Sequence, residues 1–259
     1  MAYDKVIDSA TLDAGMAATA NAIREKTGQA GAIPWENDKG FSAAVAGIQV
    51  GGGGSGGENL LDYASTLCRT FIQHTFESGT ELVVSFGAKA TVVDSQFLSY
   101  TFYRVHGLKS VKLIYGKTFT SAFPMQNTFQ DCYDLEMVDL TGMQPLCLSG
   151  DLSRLFYGCN KLREIKGEMN CSETTTISRT FENTIALETV RFTQGTIKWS
   201  IHLGGSPNLT DETIQNIIDG LADLSGGTAQ TLTLHATVGA KLTDAQKSAA
   251  SAKNWTISY

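Results

Sequence analysis

The sequence predicts an α/β repeat solenoid of short parallel strands, preceded by a small α-helical head and closed by an α+β C-terminal cap. One observation is a phenylalanine that returns at Phe76, Phe102, Phe129, Phe156 and Phe181, at intervals of 26, 27, 27 and 25 residues. A second is the wording around it, Phe129-x-x-Cys132-x-x-Leu135-x-x-Val138 and Phe156-x-x-Cys159-x-x-Leu162-x-x-Ile165, echoed from Phe102 and Phe181. A third is the short alternating run that ends each copy: Val111-Lys-Leu113, Val138-Asp-Leu140, Ile165-Lys-Gly167 and Val190-Arg-Phe192. A period of 20–50 residues is the signature of stacked units that bury their apolar sides only against their neighbours. Alternation at period two marks a strand with one buried face.

Residues 1–50 read as two short helices. Ser9 or Thr11 caps the first, whose stripe includes Leu12, Met16 and Ile23, with Gly28 past its end. The second runs from about Lys39 to Ile48 and places Phe41, Val45 and Ile48 on one face. Helices of this length are marginal alone in water, so the segment is either a terminal appendage or, as we expect, an oligomerisation and attachment element. Residues 51–57, Gly-Gly-Gly-Gly-Ser-Gly-Gly, have the composition of a flexible linker spanning roughly 15 Å. A chance G-x-S-x-G match there lacks the strand and helix that a nucleophile elbow requires.

Residues 58–200 form the repeat body, with Phe76 opening its first copy. Strands stacked about 4.8 Å apart create outward ladders. Lys112, Asp139, Lys166 and Arg191 form one, Ser110, Met137, Glu164 and Thr189 the next, and Ile114, Thr141, Glu168 and Thr193 a third. Opposite charges at Lys112, Asp139 and Lys166 can pair across strands. This face is either a solvated surface or the ligand-binding site, with Lys112, Asp139, Glu164, Lys166 and Arg191 as the candidate contacts. The loops Tyr115–Gln126 and Lys198–Ser206 compete with it.

Residues 201–259 break the period and read as a cap. Thr210 starts a helix carrying Ile214, Ile217, Ile218, Leu221 and Leu224 and ending before Gly226; Thr231–Ala236 is a strand; Thr243 starts an Ala-rich helix; Trp255–Tyr259 is a last strand. His235 is expected to be a solvated residue, not a catalytic one.

Composition excludes some functions. With 259 residues, 18% charged side chains and a net charge of −6, the chain has no basic footprint for nucleic acid. No stretch approaches a membrane span, and Met1-Ala-Tyr-Asp-Lys does not resemble a secretory signal, so synthesis and folding in a cytoplasm are expected. On that view Asn170, Asn208 and Asn254 are incidental Asn-x-Ser/Thr matches. The five cysteines (Cys68, Cys132, Cys147, Cys159, Cys171) contain no C-x-x-C; Cys132 and Cys159 stand where Val105 and Thr184 stand in other copies, the mark of a small buried side chain. The four histidines are scattered, and neither a P-loop nor a dinucleotide fingerprint is present. No catalytic residue, metal ligand or cofactor is expected.

The motif Phe-x-x-Cys-x-x-Leu-x-x-Ile/Val over about residues 70–200 resembles the BspA-like type of leucine-rich repeat. The head, from Asp8-Ser-Ala-x-Leu12 through Ala22-Ile-Arg-x-Lys26-Thr-Gly28 to Phe41-x-x-Ala44-Val-x-Gly47-Ile48, is similar to heads of tail and baseplate proteins from phages of Gram-positive bacteria. So are Leu209-Thr-x-Glu212-x-Ile214 and Lys253-Asn-Trp255-Thr near the end. The resemblance implies a leucine-rich-repeat-like virion protein, assembled in the host cytoplasm and carried on the tail. It would be joined to other tail proteins through its head, be a homo-oligomer, and present its repeats to a bacterial surface receptor, without inserting into the membrane. The alternatives are a purely structural baseplate or tail subunit and a prophage-encoded surface adhesin.

Overall fold

The computed structural model describes residues 67, 69–86, 97–116, 123–143 and 146–259. The expected head with Leu12, Met16, Ile23, Phe41, Val45 and Ile48, the linker 51–57, Cys68 and residues 117–122 of the Tyr115–Gln126 loop lie outside them.

The alternating runs form strands: β1 (Thr75–Phe86), β2 (His106–Tyr115), β3 (Met137–Gly142), β4 (Cys147–Asp151), β5 (Glu164–Thr176) and β6 (Thr189–Phe192). They join in the order β1-β2-β3-β5-β4, with β6 also on β5, and every pairing is parallel. The long β5 takes β3 and β6 beside its first half and β4 beside its second. The fold is thus a mostly parallel sheet with few helices, in the α/β class. Val111 lies opposite Val138, and Val138 opposite Ile165; all three are buried, so the apolar positions of successive strands share one core.

The core is organised around phenylalanine rings. Phe102, Phe129, Phe156 and Phe181 stack in sequence at centroid separations of 5.2, 5.6 and 5.8 Å. The ring that begins the stack is Phe71, 5.1 Å from Phe102 and nearly parallel to it. This corrects the first copy, which was expected at Phe76. Thr70-Phe71 and Thr75-Phe76 are identical dipeptides five residues apart, and extra residues in β1, absorbed by a bulge between Thr75 and Thr80, make the later one mimic the period. Phe76 is half-buried and touches Phe71 from the side.

Each phenylalanine sits in a turn whose backbone amides alternate in duty. The amides at the ring position and two residues to either side donate to the next turn: Tyr100 to Gln126, Phe102 to Thr128, Arg104 to Gln130. The intervening amides donate three residues back within their own turn, as Thr101 does to Leu98 and Tyr103 to Tyr100. The same pattern returns at Phe71, Phe129 and Phe156 and accounts for the polar backbone of a deeply buried segment. Buried side chains add to it. The Thr128 hydroxyl donates to Leu98 and Met125 carbonyls at 2.8 Å, and the thiols of Cys132 and Cys159 lie 2.9 Å from the Phe102 and Phe129 carbonyls of the preceding turns. Cys132 and Cys159 are free and fully buried, and burial pushes the Cys159 thiol well up.

Beyond β6 the chain forms β7 (Ile201–Leu203), α1 (Asp211–Gly220), β8 (Gln230–Leu234), α2 (Ala236–Gly239), α3 (Asp244–Ala252) and β9 (Trp255–Ser258). Here β7, β8 and β9 make a second parallel sheet, with Ile201 opposite Leu232 and Leu232 opposite Ile257. Parallel pairing with helices between the strands is α/β, not the α+β cap expected. The expected loop Lys198–Ser206 contains β7. Helix α1 begins at the expected cap, where the Thr210 hydroxyl accepts from Thr213 N–H. It ends earlier than expected because Leu221 turns extended; Gly220 lets the helix approach, since a Cβ there would meet Phe192 Cβ at 3.0 Å. α2 was not foreseen. His235 is its N-cap, its Nδ1 accepting from Thr237 N–H. Thr243 and Gln246 form a reciprocal capping box on α3.

Candidate functional site

Two faces of the body carry charge, and they differ in how that charge is satisfied. On the strand face the structure brings Lys112 within 3.3 Å of Asp139, as expected. Lys166 does not complete the row. It turns to Glu164 on its own strand at 3.7 Å. Arg191 is out of the row as well. Between Glu164 and Glu168 the pairing with β6 slips, beside Gly167 at φ 96, and Arg191 comes opposite Glu168 while its guanidinium bonds Glu212 on α1. Nor does Ile114 face Thr141, because a bulge brings it opposite Gly142. Asp139 is nine-tenths buried; burial raises its carboxyl, but hydrogen bonds from Thr141 and Lys112 outweigh that and hold it below the ordinary range. The five predicted contacts therefore form Lys112–Asp139, Lys166–Glu164 and Arg191–Glu212, each cation with a carboxylate of this chain.

The opposite face is formed by the turns. At two residues before and two after each stacked phenylalanine the backbone is left-handed: Arg69 and Gln73, Tyr100 and Arg104, Asn127 and Asp131, Arg154 and Gly158, Arg179 and Asn183. Nine of these ten are not glycine, although a side chain there costs about 1 kcal/mol. Of these, Arg104, Asp131, Arg154, Gly158, Arg179 and Asn183 line a groove of about 750 Å³ that crosses the middle and later turns. Arg104, Arg154 and Arg179 reach it from flanking positions, Gln130 and Tyr157 from the residue after the ring, and Tyr133, Asn160 and Ile185 from four residues after. Gly158 deepens it, since a Cβ there would meet Asp131 Oδ1 at 2.5 Å.

The groove's electrostatics are uneven. Asp131 is buried and accepts from Gln130 at 3.2 Å and Arg104 at 3.4 Å. Arg104 also lies over the Tyr103 ring at 5.0 Å, and Arg179 over Tyr157 at 5.7 Å while bonding Glu182 at 2.7 Å. Arg154 is half-buried, and its guanidinium has no ion pair or hydrogen bond among the described residues. Burial and the Asp131 carboxylate push the Tyr133 phenol up. Tyr133 and Ile185 remain exposed at 43% and 54%, notable for large apolar side chains.

The sequence reading missed this groove. The signal was present in the same alignment of copies, in the columns two before and one, two and four after the phenylalanine, where Arg, Tyr, Asn and Gln recur. Those columns do not repeat a residue type, so a search for the buried consensus passes over them.

No family model, curated protein or solved structure matches the chain. Among the described residues, no helix is long and apolar enough to cross a membrane, and no three His, Cys, Asp or Glu side chains group as metal ligands.

Proposed function

We propose that the chain is a phage tail-tip or tail-fibre protein that recognises the bacterial host surface. On this reading its body is a leucine-rich-repeat-like solenoid, and residues 1–50 attach it to the tail and to other copies. The observation that carries the recognition reading is the contrast between the two faces. One pairs each of its candidate cations with a carboxylate of this chain, while the other holds arginines at left-handed positions, where glycine is the easier choice, beside tyrosines in a groove, and leaves Arg154 without an ion pair among the described residues. Arg and Tyr are the side chains that most often anchor interfaces. The solenoid reading draws on the ring stack from Phe71 to Phe181 and on the turn-to-turn hydrogen bonds. The phage assignment draws on the resemblance of the head and C-terminal passages to tail and baseplate proteins.

The test is binding of the fluorescently labelled full-length protein to a panel of intact Gram-positive cells. Saturable, strain-selective binding is expected. If no strain is bound even after the protein is artificially multimerised, recognition fails and the purely structural tail subunit takes its place. Multimerisation belongs in the design because several weak sites on one particle can raise avidity by about 10²-fold or more.

A further inference from the structure

We propose that the turn-face groove is the ligand site and that its ligand is an anionic glycopolymer. Arg154 and Arg179 would take the charge, and Tyr133 and Tyr157 the flat faces of the sugars. The inference deepens the recognition reading and rests on it for the ligand's origin, while its chemistry stands on the groove alone.

Charge is the first argument. The protein carries −6 overall, yet the groove lining holds three arginines against one carboxylate, Asp131, which is already engaged by Arg104 and Gln130. Arg179 is bonded to Glu182 beside the lining and would share its charge, whereas Arg154, a half-buried guanidinium with no counter-charge among the described residues, has lost hydration without compensation and favours an incoming anion. Position is the second. Arg154 and Arg179 occupy the same place in adjacent turns, whose rings lie 5.8 Å apart, so a polymer with repeating charge can meet both.

The remaining lining separates a glycan from other polyanions. Tyr133, Tyr157 and Ile185 offer apolar faces to sugar C–H groups, and the amides of Asn160 and Asn183 suit hydroxyls, which both donate and accept. A peptide that binds by adding a strand needs free backbone groups. The amides of the turns at Phe102, Phe129 and Phe156 already donate to the next turn or within their own, so most of the groove offers no such edge. A nucleic acid demands a longer basic track than three arginines on an acidic protein supply.

The experiment titrates full-length protein by thermophoresis against poly(glycerol phosphate), polygalacturonate, neutral dextran, poly-glutamate and single-stranded DNA. Saturable binding to one of the first two is expected, and which of them binds distinguishes a phosphodiester from a carboxylate source. Arg154→Gln and Arg179→Gln should each weaken it about tenfold, while Lys112→Gln on the strand face should stay within about twofold. Arg179 is exposed, so its variant carries the test if Arg154→Gln does not fold. Failure of both anionic polymers to bind overturns the proposal. So does binding that ignores both arginine variants, and so does equal binding of poly-glutamate, DNA or dextran. Intact cells bound without either polymer would sink the glycan assignment and leave host recognition standing; Arg154-dependent polymer binding without cell binding would do the reverse.

Discussion

The buried thiols, hydroxyls and rings of the turns show how single residues set the stacking. Phe71 and Phe76 are the sharpest comparison, because the two Thr-Phe pairs are indistinguishable as sequence. Phe71 is 5% exposed and lies face to face with Phe102, whereas Phe76 is half-buried at the side of the stack. Phe71→Ala should cost about 3 kcal/mol or more, the usual range for deleting a buried ring, and Phe76→Ala clearly less. Urea unfolding of the two variants checks the order, and a larger loss at Phe76 would return the first copy to its expected place. What was legible at this scale was the apolar columns. Phe102, Leu108 and Val111, with Phe129, Leu135 and Val138, recur because each must fill the same buried volume. The groove residues Arg154, Tyr157 and Tyr133 were not legible, since positions that reach solvent tolerate variety, and the left-handed backbone at Arg154 leaves no mark in side-chain type.

Among the elements, α1 illustrates stabilisation that its own segment does not contain. Its last turn carries no basic residue, yet the Lys253 ammonium donates to the carbonyls of Ile218, Asp219 and Leu221 at 3.0, 3.2 and 2.9 Å. A cation at that end meets both the unpaired carbonyls and the negative pole of the helix. Lys253→Met should cost about 1–2 kcal/mol, read as a lower thermal midpoint with the sheet signal retained below it. Strand-side turns are tied in a comparable way by Asp134, which accepts from Gly107 N–H at 3.0 Å and Lys161 Nζ at 2.9 Å. The Gly107 hydrogen bond first, then Lys161, holds its carboxyl below the ordinary value of 3.8. A depressed folded pKa means stability that is fully present above the unfolded value and lost as pH falls through the folded one. The gap between the wild type and Asp134→Asn should accordingly be constant near neutrality and close below pH 3.8; a gap that widens on acidification would contradict it.

For the whole molecule, the charge pattern and the proposed separation of residues 1–50 from the body carry the expectations. Deleting residues 1–50 should leave the unfolding transition of the body in place and abolish oligomerisation or incorporation into particles, as read by sedimentation and particle assembly. An insoluble truncation would mean that the head shares the body's core. The two charged faces could not be ranked by counting residues, because the same Lys112, Lys166 and Arg191 would serve a ligand or a neighbour equally well. Ranking needed their partners, and those partners depend on where β5 bulges and where α1 lies.

The sequence by itself determined the apolar columns of the core, the strands of the body and the capped starts of α1 and α3, because each follows from local spacing: apolar side chains at fixed offsets, alternation along a strand, and a hydroxyl before an acidic first turn. Only the tertiary structure decided that the stack begins at Phe71, that Arg191 leaves its ladder for Glu212, and that the last three strands pair in parallel. It also decided that the open charge lies on the turns. These depend on bulges, left-handed residues and contacts between segments more than twenty residues apart. Such choices are settled by which arrangement buries apolar surface without stranding a polar group, a balance that no single segment holds.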